Sequence, residues 1–282
     1  MLQRRGGYLF PRTEPAPPET TRLEQEGWAV IAGALAPEEV AELRADVERV
    51  YAELPADRRN TRIPDDEAND FRYEMLNRSA AAQAAVAHPA ILGVIEPLLG
   101  EDCHVIANTC WRNPPREANR HGGGFWHIDA GPHVPRDVSI PWDDRIPYPV
   151  FAIGVHLYLV DCPLACGPTG VIPGSHRSGQ VPPLEQVQDV NLTWNGRGVV
   201  SLEARAGDAA LFVSDVWHRR LPSQAGDTGR LFLQIHYGRR DIAQRLRPTA
   251  DVNQLSPDAL ARAAEPRQRT VVGLHRPFFY DG

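Results

Sequence analysis

Lysine is absent from this 282-residue chain, so all 30 of its basic residues are arginine. An anchor for an anionic ligand must therefore be an arginine, a backbone amide or a neutral donor. Basic excess is missing as well. With 36 acidic residues the net charge is -6, which leaves no electrostatic footprint of the kind a nucleic-acid binder carries. No apolar run approaches the roughly 18 residues of a membrane-spanning helix. The cysteines, Cys103, Cys110, Cys162 and Cys166, form no Cys-x-x-Cys pair and follow no signal peptide. They read as buried free thiols of a soluble, cytoplasmic protein rather than as a zinc site. The chain also lacks a Gly-x-Ser-x-Gly elbow, a Gly-x-Gly-x-x-Gly turn and a P-loop. Without them, serine-hydrolase, dinucleotide and nucleoside-triphosphate chemistry has no support, although His121-Gly-Gly-Gly124 is of the type found in lipase oxyanion loops.

What the chain does contain changes character near Gly100. From Leu35 to Leu54, Val40, Leu43, Val47, Val50, Tyr51 and Leu54 recur at helical spacing behind Pro37-Glu38-Glu39, a proline-and-acid helix start. A second helix is expected over Pro89–Leu99, closed by Gly100. The polar stretch Pro55–Arg78 between them is either a loop over a pocket or a plain connection. After Gly100 come short extended runs at Cys103–Trp111, Pro149–Val160, Val199–Glu203, Asp208–Val213 and Arg230–Tyr237, separated by Gly/Pro turns. This is the signature of antiparallel β architecture, a sandwich or barrel, rather than of βαβ units. One domain is expected: a loose Arg/Pro-rich arm over residues 1–20, a helical part over 21–100, a β core over 101–240, and an appendage over 241–282 with one helix at Pro257–Ala264.

The residues that carry chemistry begin at His127-Ile128-Asp129. On a strand, residues i and i+2 share a face, so His127 and Asp129 can hold one ion together. Such pairs also arise by chance in a chain with 10 His and 36 acidic residues, and the spacing alone decides nothing. His218 lies far downstream, at the end of the run Asp208–Trp217, and Arg230 opens the next strand. Two histidines and a carboxylate with open coordination positions are the ligands of non-haem iron(II) oxygenases. An arginine beside them suits the far carboxylate of a dicarboxylic co-substrate.

Taken in order, His127-x-Asp129, Cys166-Gly-Pro-Thr-Gly-Val-Ile-Pro-Gly-Ser-His176, Trp217-His218 and Arg230 resemble the phytanoyl-CoA dioxygenase family. The entry segment Glu26-Gly-Trp-Ala-Val-Ile-Ala-Gly-Ala-Leu-Ala-Pro-Glu-Glu39 and the His88–Gly100 helix match it too, so the resemblance spans Leu23 to Tyr237. It implies a mainly β protein with flanking helices around a double-stranded β-helix, a jelly-roll of the cupin kind. It also implies Fe(II), 2-oxoglutarate and O2 as cofactors, and release of succinate and CO2. His127, Asp129 and His218 become the metal ligands and catalytic residues, and Arg230 the grip on the 2-oxoglutarate C5 carboxylate. Because Asp129 is present, hydroxylation or a related oxidation is favoured over halogenation. The chain departs from the family at two places. The His218-to-Arg230 interval is one residue longer than is common, and Arg220 stands where relatives often carry serine. Arg219 and Arg220 are accordingly the alternatives to Arg230.

Alternation suggests more of the cavity. Phe151, Ile153, Val155, Leu157 and Leu159 form an apolar face, while Ala152, Gly154, His156 and Tyr158 form the other. Phe232, Gln234 and His236 share the side of Arg230. His156 and Asn108 are read with Arg230 as co-substrate contacts, although an interior structural role is an equal reading for His156. His121, His133, Tyr158 and Gln234 are candidate substrate contacts, His133 with Trp142 and Tyr148 in the proline-rich stretch Gly131–Pro149. His176 is read as a turn residue. The expected partner is a small organic molecule resembling a secondary metabolite, with no nucleic acid and no membrane. A cupin-like metalloenzyme without 2-oxoglutarate and a non-catalytic binding protein are the rival readings.

Overall fold

The computed structural model describes residues 2–5, 8–11, 15–53, 70–115, 124–129, 131–140, 142–143, 145–242 and 255–275, with the backbone alone at 2–5 and 8–11. Most of the stretch Pro55–Arg78, namely everything up to residue 69, lies outside the described residues, and so does His121.

Helices come first. Pro18–Glu26 (α1) opens on proline and closes on left-handed Gly27, and Pro37–Glu53 (α2) buries Leu43, Val47, Val50 and Tyr51 on the stripe the sequence pattern predicts. Glu39 fixes the start of α2 by accepting from the Ala36 amide at 2.8 Å, satisfying an otherwise orphaned donor. Met75–Arg78 (α3) and Ala80–Ala85 (α4) follow, then Pro89–Leu99 (α5), which ends at Gly100 as expected. The N-terminal arm contains a strand pair. Leu2–Arg5 (β1) and Tyr8–Pro11 (β2) pair antiparallel, and β1 lies against α5. Its two halves can pair because Tyr8-Leu9-Phe10 favours extended structure and two glycines separate them in sequence.

The β core consists of two sheets. Trp28–Ile31 (β3), Phe71–Tyr73 (β4), His104–Asn113 (β5), Ala152–Tyr158 (β6), Ala209–Val213 (β9) and Arg230–Gly238 (β11) form the larger, in the order β3-β9-β6-β11-β5-β4. Thr169–Val171 (β7), Val200–Ser201 (β8) and His218–Arg220 (β10) form the smaller, in the order β10-β7-β8. Every pairing is antiparallel. This is the double-stranded β-helix that the family resemblance implies. Pro257–Arg262 (α6) and Pro266–Val271 (α7) complete the chain, the second of them a helix the sequence pattern does not flag.

Alternation on β6 divides the interior as the sequence pattern predicts. Ile153, Val155, Leu157 and Leu159 join Val47, Val50, Ile91 and Ile95 in the core between the large sheet and the helices. Tyr158 turns the other way, into a second cluster with Phe212, Phe232 and Val171 between the two sheets. Burying an aliphatic side chain of this kind contributes about 1.5–3 kcal/mol, so the helix-side core holds the large sheet rigid. Its other face is left for chemistry. All four cysteines are buried and free, as expected.

Candidate metal centre

Three short backbone segments meet at the site. His127 and His218 stand opposite one another in an isolated antiparallel bridge, the His127 amide donating to the His218 carbonyl at 2.9 Å and the His218 amide returning the bond at 3.0 Å. Two residues on, the Asp129 amide donates to the Ser214 carbonyl at 3.1 Å. The strip is therefore extended, and its residues alternate. His127 and Asp129 face inward, while Trp126 and Ile128 pack outward against Trp217 and Ile172. On β10 the same rule sends His218 and Arg220 inward and Arg219 outward, where its guanidinium lies 5.6 Å over the Trp126 ring.

The inward groups converge. One nitrogen from each of His127 and His218 and one Asp129 oxygen all lie within 4.8 Å of one another. Asp129 Oδ1 is 3.5 Å from His218 Nε2 and 3.8 Å from His127 Nε2. The far atom of each group is already engaged. His127 Nδ1 donates to the Phe125 carbonyl at 2.7 Å and His218 Nδ1 to the Val216 carbonyl at 2.9 Å, which leaves both Nε2 lone pairs facing Asp129. Asp129 Oδ2 is 2.7 Å from His236 Nε2. Burial, and next the adjacent His218 ring, hold His127 down to about 4, so it is a neutral ligand at neutral pH. Burial also opposes the Asp129 charge, but the His218 and His236 rings outweigh it and hold the carboxyl well below its usual range. For His218 the Asp129 carboxylate overcomes burial and raises the pKa. A donor set of two imidazole nitrogens and one carboxylate oxygen, each oriented from behind, fits a ferrous ion.

His236 is the functional residue that sequence reading placed on the right face without giving it a role. It pairs in register with Gly154 on β6, and that position has no room for a side chain. A Cβ on Gly154 would lie 2.7 Å from the Phe212 ring and 3.0 Å from His236 Nε2. The glycine therefore makes the space in which His236 reaches Asp129.

A cavity of ≈ 220 Å³ beside these ligands is lined by Trp111, His156, Thr169, Arg219, Arg220, Arg230, Phe232 and Gln234, together with the three ligands themselves. Cross-strand register explains its wall: Phe232 stands opposite Trp111 and Tyr158, and Gln234 opposite Thr109 and His156. Gln234 Oε1 accepts from Trp111 Nε1 at 2.5 Å and from Thr109 Oγ1 at 3.2 Å. His156 Nδ1 lies 3.1 Å from Thr169 Oγ1, bridging the sheets. Burial, and next the Arg230 charge, push the His156 pKa well down, so its ring is neutral. Arg230 is buried, its Nε donating to Asn113 Oδ1 at 2.7 Å and its Nη1 to the Gly167 carbonyl at 3.1 Å.

The remaining candidate contacts lie elsewhere. Asn108 stands opposite Ile235, whose side chain is in the helix-side core, and its amide donates to the Gln234 carbonyl at 3.2 Å; it is on the wrong face of β5 to touch the cavity. Tyr158 is wholly buried behind Phe232 and His156 and does not line the cavity. His133 is tied to Asp215 through both its ring (Nδ1 to Oδ1, 2.5 Å) and its backbone amide (3.0 Å), and it stacks on Phe151. It fastens the segment after Asp129 to the turn before His218.

A double-stranded β-helix with His-x-Asp and a distal His at the mouth of its inner face defines a class of non-haem metalloenzymes. Within that class the chain belongs to the phytanoyl-CoA dioxygenase (PhyH) family, whose model matches residues 23–225. An ectoine dioxygenase from Nocardia farcinica (strain IFM 10152) is 27% identical over 219 residues, covering 71% of this chain and 70% of that protein. Two solved structures share the fold. EctD from S. alaskensis with 2-oxoglutarate and 5-hydroxyectoine superposes with a TM-score of 0.61 at 20% identity, over 84% of this chain and 83% of that one. HygX from Streptomyces hygroscopicus with nickel and 2-oxoglutarate gives 0.60 at 16% identity, over 85% and 98%.

Proposed function

We propose that this protein is an Fe(II)- and 2-oxoglutarate-dependent oxygenase that hydroxylates a compact polar small molecule in the cytoplasm, with the whole chain acting as one oxygenase domain. The observation that carries this reading is the convergence of His127 Nε2, His218 Nε2 and Asp129 Oδ1 within 4.8 Å, beside a cavity with buried arginine in its wall. Bound there, iron with 2-oxoglutarate and O2 supplies oxidation of an unreactive C–H bond, with release of succinate and CO2. His127, Asp129 and His218 would hold the metal and supply two nitrogen donors and one oxygen donor. The carbonyls of Phe125 and Val216 and the ring of His236 keep those ligands aimed. Arg230 fixes the C5 carboxylate of the co-substrate with a charge-assisted hydrogen bond. His156, neutral and anchored to Thr169, together with Phe232 shapes the wall against which the co-substrate lies, and Gln234, its carbonyl oxygen already occupied, offers its amide nitrogen to substrate.

Family kinship with an ectoine dioxygenase and the size of the cavity favour a small polar substrate over a long acyl thioester. The cytoplasmic setting is supported by four free buried thiols, and no helix among the described residues is long and apolar enough to cross a membrane. Anaerobic titration of the apoprotein with Fe(II) and then 2-oxoglutarate tests the assignment. A weak visible metal-to-ligand charge-transfer band is expected, and iron binding without that band would transfer the site to a cupin-like enzyme that does not use 2-oxoglutarate.

A further inference from the structure

Arg220 is buried, 5% exposed, and faces the same side of β10 as the ligand His218. One of its terminal nitrogens, Nη2, donates weakly to the Cys166 carbonyl at 3.4 Å, while Nε and Nη1 are buried without any hydrogen-bond partner. Buried donors left in this state are rare and costly, and they ask for an acceptor. Arg230 approaches from the large sheet, and its Nη1 is held by the carbonyl of Gly167, the very next residue. A single turn thus steadies both guanidiniums. Gly167 has φ +63°, and a Cβ there would lie 2.4 Å from the Leu221 carbonyl and 3.3 Å from Arg220 Nε, so only glycine leaves Arg220 its place.

Charge makes the same request. Among the described residues the hydrogen-bond acceptors found for the two guanidiniums are neutral, the carbonyls of Cys166 and Gly167 and Asn113 Oδ1, while the Asp70 and Asp227 carboxylates favour both charges electrostatically. Among the described residues lining the cavity the one carboxylate is Asp129, already bonded to His236. The unpaired Nε and Nη1 of Arg220 still call for a ligand with several acceptor lone pairs, which an anion supplies best. Its position is fixed by strand geometry, because Arg220 is one pleat repeat, about 6.6 Å, beyond His218 along the strand. A molecule that chelates at the metal ligands and carries a carboxylate at its other end spans this interval.

Resting on the 2-oxoglutarate reading above, we propose that Arg220 is a second anchor for the distal carboxylate of the co-substrate, which therefore lies between two guanidiniums rather than against one. Arg220 offers this carboxylate a charged fork with two free donors. The pocket is in consequence strict for dicarboxylic 2-oxo acids.

The test compares binding of 2-oxoglutarate and of oxalate to the iron-loaded protein under anaerobic conditions, by calorimetry, in the wild type and in Arg220→Ser and Arg220→Lys. Oxalate chelates metal but has no distal carboxylate. Arg220→Ser is expected to weaken 2-oxoglutarate about ten- to hundredfold while leaving oxalate unchanged, and Arg220→Lys, which keeps the charge but not the fork, is expected to fall between. Unchanged 2-oxoglutarate affinity in Arg220→Ser would overturn the second anchor. Equal weakening of both ligands would overturn it too, since the substitution would then act through the neighbouring His218. A wild-type protein that binds iron and oxalate but not 2-oxoglutarate would instead remove the co-substrate reading itself, and the anchor with it.

Discussion

The two ends of the cavity are built on different principles. At the metal end each ligand has its far atom occupied: His127 by the Phe125 carbonyl, His218 by the Val216 carbonyl, Asp129 by His236. The ligand atoms are aimed by bonds that exist whether or not an ion is present. At the arginine end, Arg230 is held on two sides while Arg220 keeps two buried donors without partners. One end is complete except for its ion. The other retains buried hydrogen-bonding capacity that the fold does not use.

Substitutions break the contrast to graded extents. The largest effect is expected from His127→Ala or His218→Ala, each of which removes a ligand outright; turnover and stoichiometric iron binding should both be abolished, as metal analysis and an activity assay would show, and normal activity in either variant would remove that residue from the metal set. Arg230→Ala should leave iron binding intact and raise the 2-oxoglutarate requirement about ten- to hundredfold, the loss of a charge-assisted interaction of about 1.5–3 kcal/mol. An unaltered co-substrate affinity would pass the main role to Arg220. His236→Ala keeps all three ligands but frees Asp129 Oδ2; iron affinity should fall about tenfold, the lower part of the range for outer partners, and His236→Gln should recover part of it. The smallest change is expected from Gly154→Ala, whose new methyl group presses on Phe212 and His236. It should cost about 1–3 kcal/mol of stability, measured as a lower denaturant midpoint, with a modest weakening of iron binding.

Much of this was legible in the chain because the chemistry sits on strands, where side-chain direction follows from parity. The two faces of β6, the shared side of Arg230, Gln234 and His236, and the pairing of His127 with Asp129 all follow from counting by two. What parity does not reveal is partnership across the fold. His236 and Asp129 are 107 positions apart, so nothing local marks one as the support of the other. Asn108 failed for a related reason: only its cross-strand partner Ile235 shows that it faces the helices. The short strands β3, β4, β7 and β10 escaped detection because three or four residues carry no periodic signal. The arm over residues 1–20 was read as loose from its Arg- and Pro-rich composition, which carries no sign of the pairing between Leu2–Arg5 and Tyr8–Pro11.

Arg219 and Arg220 are adjacent, identical in chemistry and both border the cavity, yet the Arg219 guanidinium lies over Trp126 while Arg220 turns to the side of His218. Strands in this protein therefore act as rulers. A single residue inserted into β10 would exchange the two arginines and turn His218 away, so such a change is expected to be lethal to the site. The connection 221–229 faces no such accounting, and the extra residue that separates His218 from Arg230 can be absorbed there without disturbing either. Lineages of this fold are free to edit their turns in length, but they must substitute within their strands one residue for one.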